Sequence, residues 1–161
     1  MTMEIKRILY ATDLSEGSVS SFRSAIEFAK KFDASLVILH VIEELPPSTV
    51  SILQWVQGDK ITEKHYDDFK TYSAEKIQTS IREICDKEFV LDPTCKQRIE
   101  GIHVVIGYPA EEILKKVDEL NCDAIIMGTH SKGAITHTFL GSVAERVLRR
   151  VRKPAFIFPA V

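Results

Sequence analysis

The sequence of 161 residues holds only seven glycines, and none of them falls into G-x-x-x-x-G-K-[ST] or G-x-G-x-x-G, the two glycine patterns that most specifically seat a phosphate. Cysteine is equally sparse: Cys85, Cys95 and Cys122 show neither C-x-x-C nor metal-type spacing. An odd count in an intracellular setting favours reduced thiols. Cys85 on an apolar helical stripe and Cys122 before a strand read as packing residues, with a Cys85–Cys95 redox pair as the minor alternative. An excess of charge is lacking too, since 21 Lys and Arg against 23 Asp and Glu leave a net charge of -2. That is no field to gather a polyanion, which argues against nucleic-acid binding. No apolar run approaches membrane-spanning length, and the opening M-T-M-E-I-K-R has no apolar signal region. The expectation is a cytoplasmic protein without membrane contact. No histidine is paired by spacing with a nucleophile and no metal-ligand cluster appears, so a binding module is expected rather than an enzyme.

What is present is an ordinary globular balance, 45% hydrophobic and 27% charged, in a chain of single-domain length. Arg7 to Ala11 reads as a first strand, with Thr12-Asp13 just beyond it. Ser15 or Ser18 can cap a helix carrying Phe22, Ala25, Ile26, Ala29 and Phe32 at helical spacing. Ser35 to Val41 is a near-continuous apolar run, as in a strand buried on both faces. Strand, helix and strand at this spacing imply a right-handed parallel crossover. Residues 43–64 form an insert in which Pro46-Pro47 breaks the chain. Ser48 can cap a short helix there with Val50, Leu53, Trp55 and Val56, whose simplest reading is packing beneath a long connection; the sharper reading is a cover or a partner contact. Thr62 to Phe89 reads as a long amphipathic helix with Tyr66, Phe69, Ser73, Ile77, Ile81, Ile84 and Cys85 inward. A turn at Asp92-Pro93-Thr94, a strand over Ile99 to Ile106 and a helix from Pro109 or Ala110 follow. Asn121 closes that helix. Ala155 to Phe158, bracketed by Pro154 and Pro159, suits an edge strand.

The stretch Asp123 to Glu145 organises the rest. Ala124 to Met127 reads as a buried strand ending on Gly128, a polar loop follows, and Gly141-Ser142 opens an amphipathic helix. Strand, glycine-bearing loop and helix start can present N–H groups to an anion such as phosphate. The same residues also fit a capping box, Ser142-x-x-Glu145, which needs no ligand. Asp13, at the carboxyl end of the first strand, stands where open α/β sheets bind ligands. It equally suits an Asx turn. The last helix and the residues after it carry Arg146, Arg149, Arg150, Arg152 and Lys153, a cationic end that complements the helix dipole.

G-T-H-S-K-G-A-I-T-H-T-F-L-G-S-V-A-E-R-V resembles the C-terminal signature of the universal stress protein family. Its ATP-binding members carry Gly, two residues, Gly, nine residues, then Gly-Ser or Gly-Thr. Gly128, Gly141 and Ser142 fall on that pattern, while Ser131 replaces the second glycine. Ile8 to Asp13, Leu39-His40-Val41, Gly107-Tyr108-Pro109 and Pro154 to Pro159 also sit where the family has such stretches. The resemblance implies a doubly wound parallel five-stranded sheet in the order 3-2-1-4-5, with helices on both faces. It implies an ATP site lined by Ala11, Thr12, Asp13, Val41, Gly128, Thr129, His130, Ser131, Lys132, Gly141, Ser142 and Val143, with Mg²⁺ entering beside ATP and Asp13 as a carboxylate in reach. It further implies a homodimer through Ala155 to Phe158 and action in the stress response through nucleotide-dependent contact with a protein partner. Two alternatives stand beside this: a slow ATPase, and a dimeric stress protein that has lost nucleotide binding, for which Ser131 is the evidence.

Overall fold

Strand propensity and burial on both faces shape the middle of the molecule. The computed structural model describes residues 3–15, 18–57, 63–129 and 140–159. Its strands are β1 (Arg7–Ala11), β2 (Ser35–Glu43), β3 (Ile99–Gly107), β4 (Ala124–Gly128) and β5 (Ala155–Phe158). They form one parallel sheet in the order β3-β2-β1-β4-β5, as expected. The helices are α1 (Ser18–Phe32), α2 (Pro47–Gln57), α3 (Glu63–Leu91), α4 (Pro109–Glu119) and α5 (Ser142–Arg150), with a short 3-10 helix at Pro93–Arg98.

Because successive strand residues point to opposite faces, the sheet divides its core in two. Ile8, Tyr10, Leu36, Ile38, Ala124 and Ile126 meet Phe22, Ala25, Ile26 and Ala29 of α1 and Ile81 and Cys85 of α3. Leu9, Val37, Leu39, Ile125 and Met127 meet α4 through Ala110, Ile113 and Val117 and α5 through Ala144 and Val147. All three cysteines are buried and free. Burial pushes the Cys85 thiol up to about 12 and Cys122 to about 11, so both are inert packing groups.

Register is fixed at the amino ends of the strands. Asp123 Oδ2 accepts from the N–H groups of Lys6 (2.9 Å) and Arg7 (3.0 Å), and the Asp123 N–H donates to the Arg7 carbonyl at 2.7 Å. The Arg7 guanidinium in turn pairs with Glu100 and donates to the Leu120 carbonyl at 2.6 Å. Positive φ at Asp33 (51°) and Asn121 (50°) turns the chain out of α1 and α4, the left-handed exit for which Asn and Asp are suited.

Three sequence expectations fail in the insert and the long helix. Ser48 lies inside α2 rather than capping it; the Pro46 carbonyl accepts from Thr49 and Val50 instead. Trp55 is 86% exposed, Val56 67% and Ile52 61%, so this cluster does not pack beneath a connection. Phe69 is 66% exposed although its helical phase matches the inward residues. The reason is length. With 29 residues α3 runs about 44 Å, against about 30 Å for the nine-residue strand β3. Its amino-terminal third therefore overhangs the sheet, beside the carboxyl ends of the strands, where Lys70 faces Glu44 at 3.4 Å.

Candidate functional site

At the carboxyl ends of β1 and β4 the sheet changes direction of winding, and a cleft of about 480 Å³ opens there. Its floor is β1, its flanks are the ends of β2 and β4, and α1, α4 and α5 supply the walls. Ala11, Thr12, Asp13, Val41, Gly128, Thr129, Gly141, Ser142 and Val143 all line it. His130, Ser131 and Lys132 lie outside the described residues, as do His137 and Thr138.

After β1 the chain turns sharply. Thr12 Oγ1 accepts from the Leu14 N–H at 3.2 Å, and Asp13 Oδ1 accepts from the Ser15 N–H at 2.9 Å. Leu14 takes φ 57°, a conformation costing about 1–2 kcal/mol for a residue with a Cβ. Packing of its side chain against the α1 and α3 core offsets that strain. The Asx-turn reading of Asp13 thus holds for one of its oxygens. The other, Oδ2, is buried and has no hydrogen-bond partner among the described residues. A carboxylate oxygen left so in a cleft costs on the order of 1–3 kcal/mol unless a ligand or a water donates to it.

The other end of the motif is also open. Gly141, not Ser142, is the N-cap of α5, and as a glycine it has no side chain to cap the helix. Glu145 pairs with Arg149 at 2.6 Å, so the capping box expected as the ligand-free reading does not form. The chain enters α5 through the Gly141 N–H, which donates to the Thr129 carbonyl at 2.6 Å. The first-turn N–H groups of Ser142, Val143 and Ala144, residues that line the cleft, have no intrahelical acceptor by geometry. With the helix dipole they make a seat for an anion.

The glycines do not explain themselves by fold. Gly141 has φ −62° and ψ 151°, open to any residue. A Cβ on Gly128 would meet Ser21 Oγ at 3.7 Å and the Phe158 carbonyl at 3.9 Å, ordinary contacts. What a side chain at either position would take up is space in the cleft.

Sequence reasoning missed several lining residues. His40, read as a core or edge histidine, lines the cleft with Nδ1 2.8 Å from the Thr12 carbonyl. Ser15, Ser18 and Ser21 bring hydroxyls from the start of α1, and their three-residue spacing after Asp13 was the available signal. Tyr10 lies beneath, its hydroxyl donating to the Ser18 carbonyl at 3.0 Å; burial raises its pKa well above the ordinary tyrosine range. Among the described residues no group of three or more His, Cys, Asp or Glu could hold a metal ion. No described helix is long and apolar enough to cross a membrane.

The family model for "Universal stress protein family" matches residues 4–159. Universal stress protein MJ0577 of Methanocaldococcus jannaschii is 31% identical over 161 residues, 98% of this chain and 96% of that one. The solved structure of MJ0577 covers 98% of this chain and 97% of its own with a TM-score of 0.74 and 26% identity. A universal stress protein solved in complex with cAMP shares the fold at TM-score 0.60 and 21% identity, covering 98% of this chain and 99% of that one. One from Archaeoglobus fulgidus, solved with dAMP, does so at 0.50 and 16%, covering 97% and 98%.

Proposed function

Since the chain belongs to the universal stress protein family, we propose that its cleft binds an adenine nucleotide, ATP foremost, and that occupancy adjusts how the protein meets its partners. One observation carries this reading. A single cleft holds a buried carboxylate oxygen without a partner, at Asp13, and an uncapped helix start, at Gly141-Ser142. The first calls for a donor such as a sugar hydroxyl, and the second for an anion such as phosphate. They stand at the carboxyl ends of two adjacent strands, β1 and β4, so one molecule with a polar sugar and a phosphate tail satisfies both. Support for adenine as the base comes from relatives of this fold solved with cAMP and dAMP.

Mg²⁺ would arrive with the phosphates of ATP, which can supply most of its oxygen ligands, rather than in a cage built by the protein. The chain's own part is to bind and orient: Asp13 holds the sugar, the α5 amino terminus holds phosphate, and Gly128 and Gly141 leave room. A binding module is the better reading, because among the described residues the histidine on the cleft wall, His40, already engages the Thr12 carbonyl. The reading that binding has been lost rests on Ser131.

Calorimetry and thermal shift with ATP, ADP, AMP and GTP test this. A nucleotide at a hundredfold its dissociation constant stabilises the fold by about 2.7 kcal/mol. Asp13→Asn keeps a turn-forming oxygen but removes the charge, and weakens binding about tenfold, in the range of a charged hydrogen bond. Flat titrations with all four nucleotides refute the proposal.

A further inference from the structure

Helix α2 reads P-S-T-V-S-I-L-Q-W-V-Q, eleven residues without a charge. Ile52, Trp55 and Val56 stand at i, i+3 and i+4, so they form one stripe, and that stripe faces solvent. The helix hangs from the rim of the cleft. Glu43, the last residue of β2, lines the cleft. Glu44 is still held by the frame, its N–H donating to the Gly107 carbonyl at 3.0 Å and its carboxylate 3.4 Å from Lys70. Leu45 is exposed, and α2 begins at Pro47 with its first turn hydrogen-bonded to the Pro46 carbonyl. Leu45-Pro46 is therefore a short link between two firmly bonded parts, and Pro46 and Pro47 hold α2 close to the rim.

What covers the stripe is decided by area and position. Trp55 exposes at most about 200 Å², and with Ile52 and Val56 the patch is on the order of 400 Å², enough to mark an interaction site. A stable contact with a second copy needs about 800 Å² per partner, twice what α2 offers. A cover tethered to the same chain gives up no translational freedom, so a small area suffices. Trp55 lies about 12 Å along the helix from Pro47, within reach of the Val41–Glu43 end of the cleft. The cleft lining includes Val41, Ile42, Ile77 and Ile113, apolar groups suited to a flat base. The absence of charge on α2 leaves it free to cover the other face at little desolvation cost.

We propose that α2 is a tethered cover that settles over the nucleoside end of the occupied cleft, with Trp55 stacked on the base. This rests on the nucleotide reading above and adds a segment that makes occupancy visible on the outer surface. Closing removes the apolar stripe from solvent, so the empty and filled forms present different faces to a partner.

Trp55 is the only tryptophan in the sequence, so its fluorescence reports on α2 alone. The full chain is titrated with ATP and AMP, each with calorimetry in parallel. The expected result is a blue shift of the emission and protection from acrylamide, with the same midpoint as the heat signal. Trp55→Ala, folded by circular dichroism, loses affinity about tenfold, within the range for base–aromatic stacking, and Trp55→Phe restores most of it. Heat without any change in emission, together with unchanged affinity in Trp55→Ala, overturns the cover and leaves nucleotide binding standing. No heat with either nucleotide overturns both. A blue shift that follows protein concentration and needs no nucleotide assigns the stripe to a second copy and overturns the cover.

Discussion

At Gly141 the backbone angles suit valine as well as glycine, so a substitution there tests room rather than strain. Gly141→Val is expected to fold, with a loss of about 1 kcal/mol because valine is a poor N-cap, and to abolish ATP binding, because its side chain occupies the phosphate seat. Retention of parental affinity in calorimetry would remove the glycine from the site. Ser131 poses the converse question, since it stands where the family pattern has glycine. A Cβ at a left-handed position costs on the order of 1–2 kcal/mol, and a serine hydroxyl that donates to phosphate offsets part of it. Ser131→Gly is expected to tighten ATP binding up to about tenfold, roughly 1.4 kcal/mol. Weaker binding in that variant would show the hydroxyl to be the stronger contributor.

Among the elements, the two edge strands differ in protection. On β3 the Ile102 carbonyl accepts from Gln78 of α3 at 3.2 Å, so the long helix guards part of that edge. On β5, Phe156 and Phe158 pack against Phe28 with ring centroids 4.3 and 6.1 Å apart, while the strand edge pairs with β4 on one side. An apolar open edge invites another strand, and two copies close it across a two-fold axis. We propose this strand as the homodimer contact. Ile157→Lys, with circular dichroism confirming the fold, should sediment as a monomer where the parent is a dimer. An unchanged oligomer would place the contact elsewhere.

For the whole molecule, acid sensitivity follows from its ion pairs. The Arg7 guanidinium, helped by the Ser35 hydroxyl, holds the Glu100 carboxyl below the ordinary glutamate range. The Lys30 ammonium and Thr94 hydroxyl do the same for Asp92. Both carboxylates are therefore more acidic folded than unfolded. Their stabilisation is complete above the unfolded values, about 4, and is lost as pH falls through the lower folded values. Glu100→Gln should flatten the fall of thermal midpoint below about pH 4, by a modest amount because the pair is partly exposed. An unaltered slope would mean that Glu100 carries no part of it.

The sequence by itself determined the sheet, because β1, β2 and β4 are short apolar runs with helices of period 3.6 between them. Asp13, Gly128 and Gly141, which line the cleft, were legible as candidates through local signals: a carboxylate after a strand, and glycines around a helix start. Their convergence on one cleft needed the sheet order, which the family resemblance supplied and helical or strand periodicity does not encode. The tertiary structure alone decided what each group still lacks. Among the described residues it left Asp13 Oδ2 without a donor, and it set Gly141, with no side chain, at the α5 N-cap while drawing Glu145 to Arg149. It also reversed the reading of Trp55 and Phe69. Helical phase says which residues share a face, but whether that face meets the sheet depends on how far the helix outruns it, and α3 outruns it by about three turns.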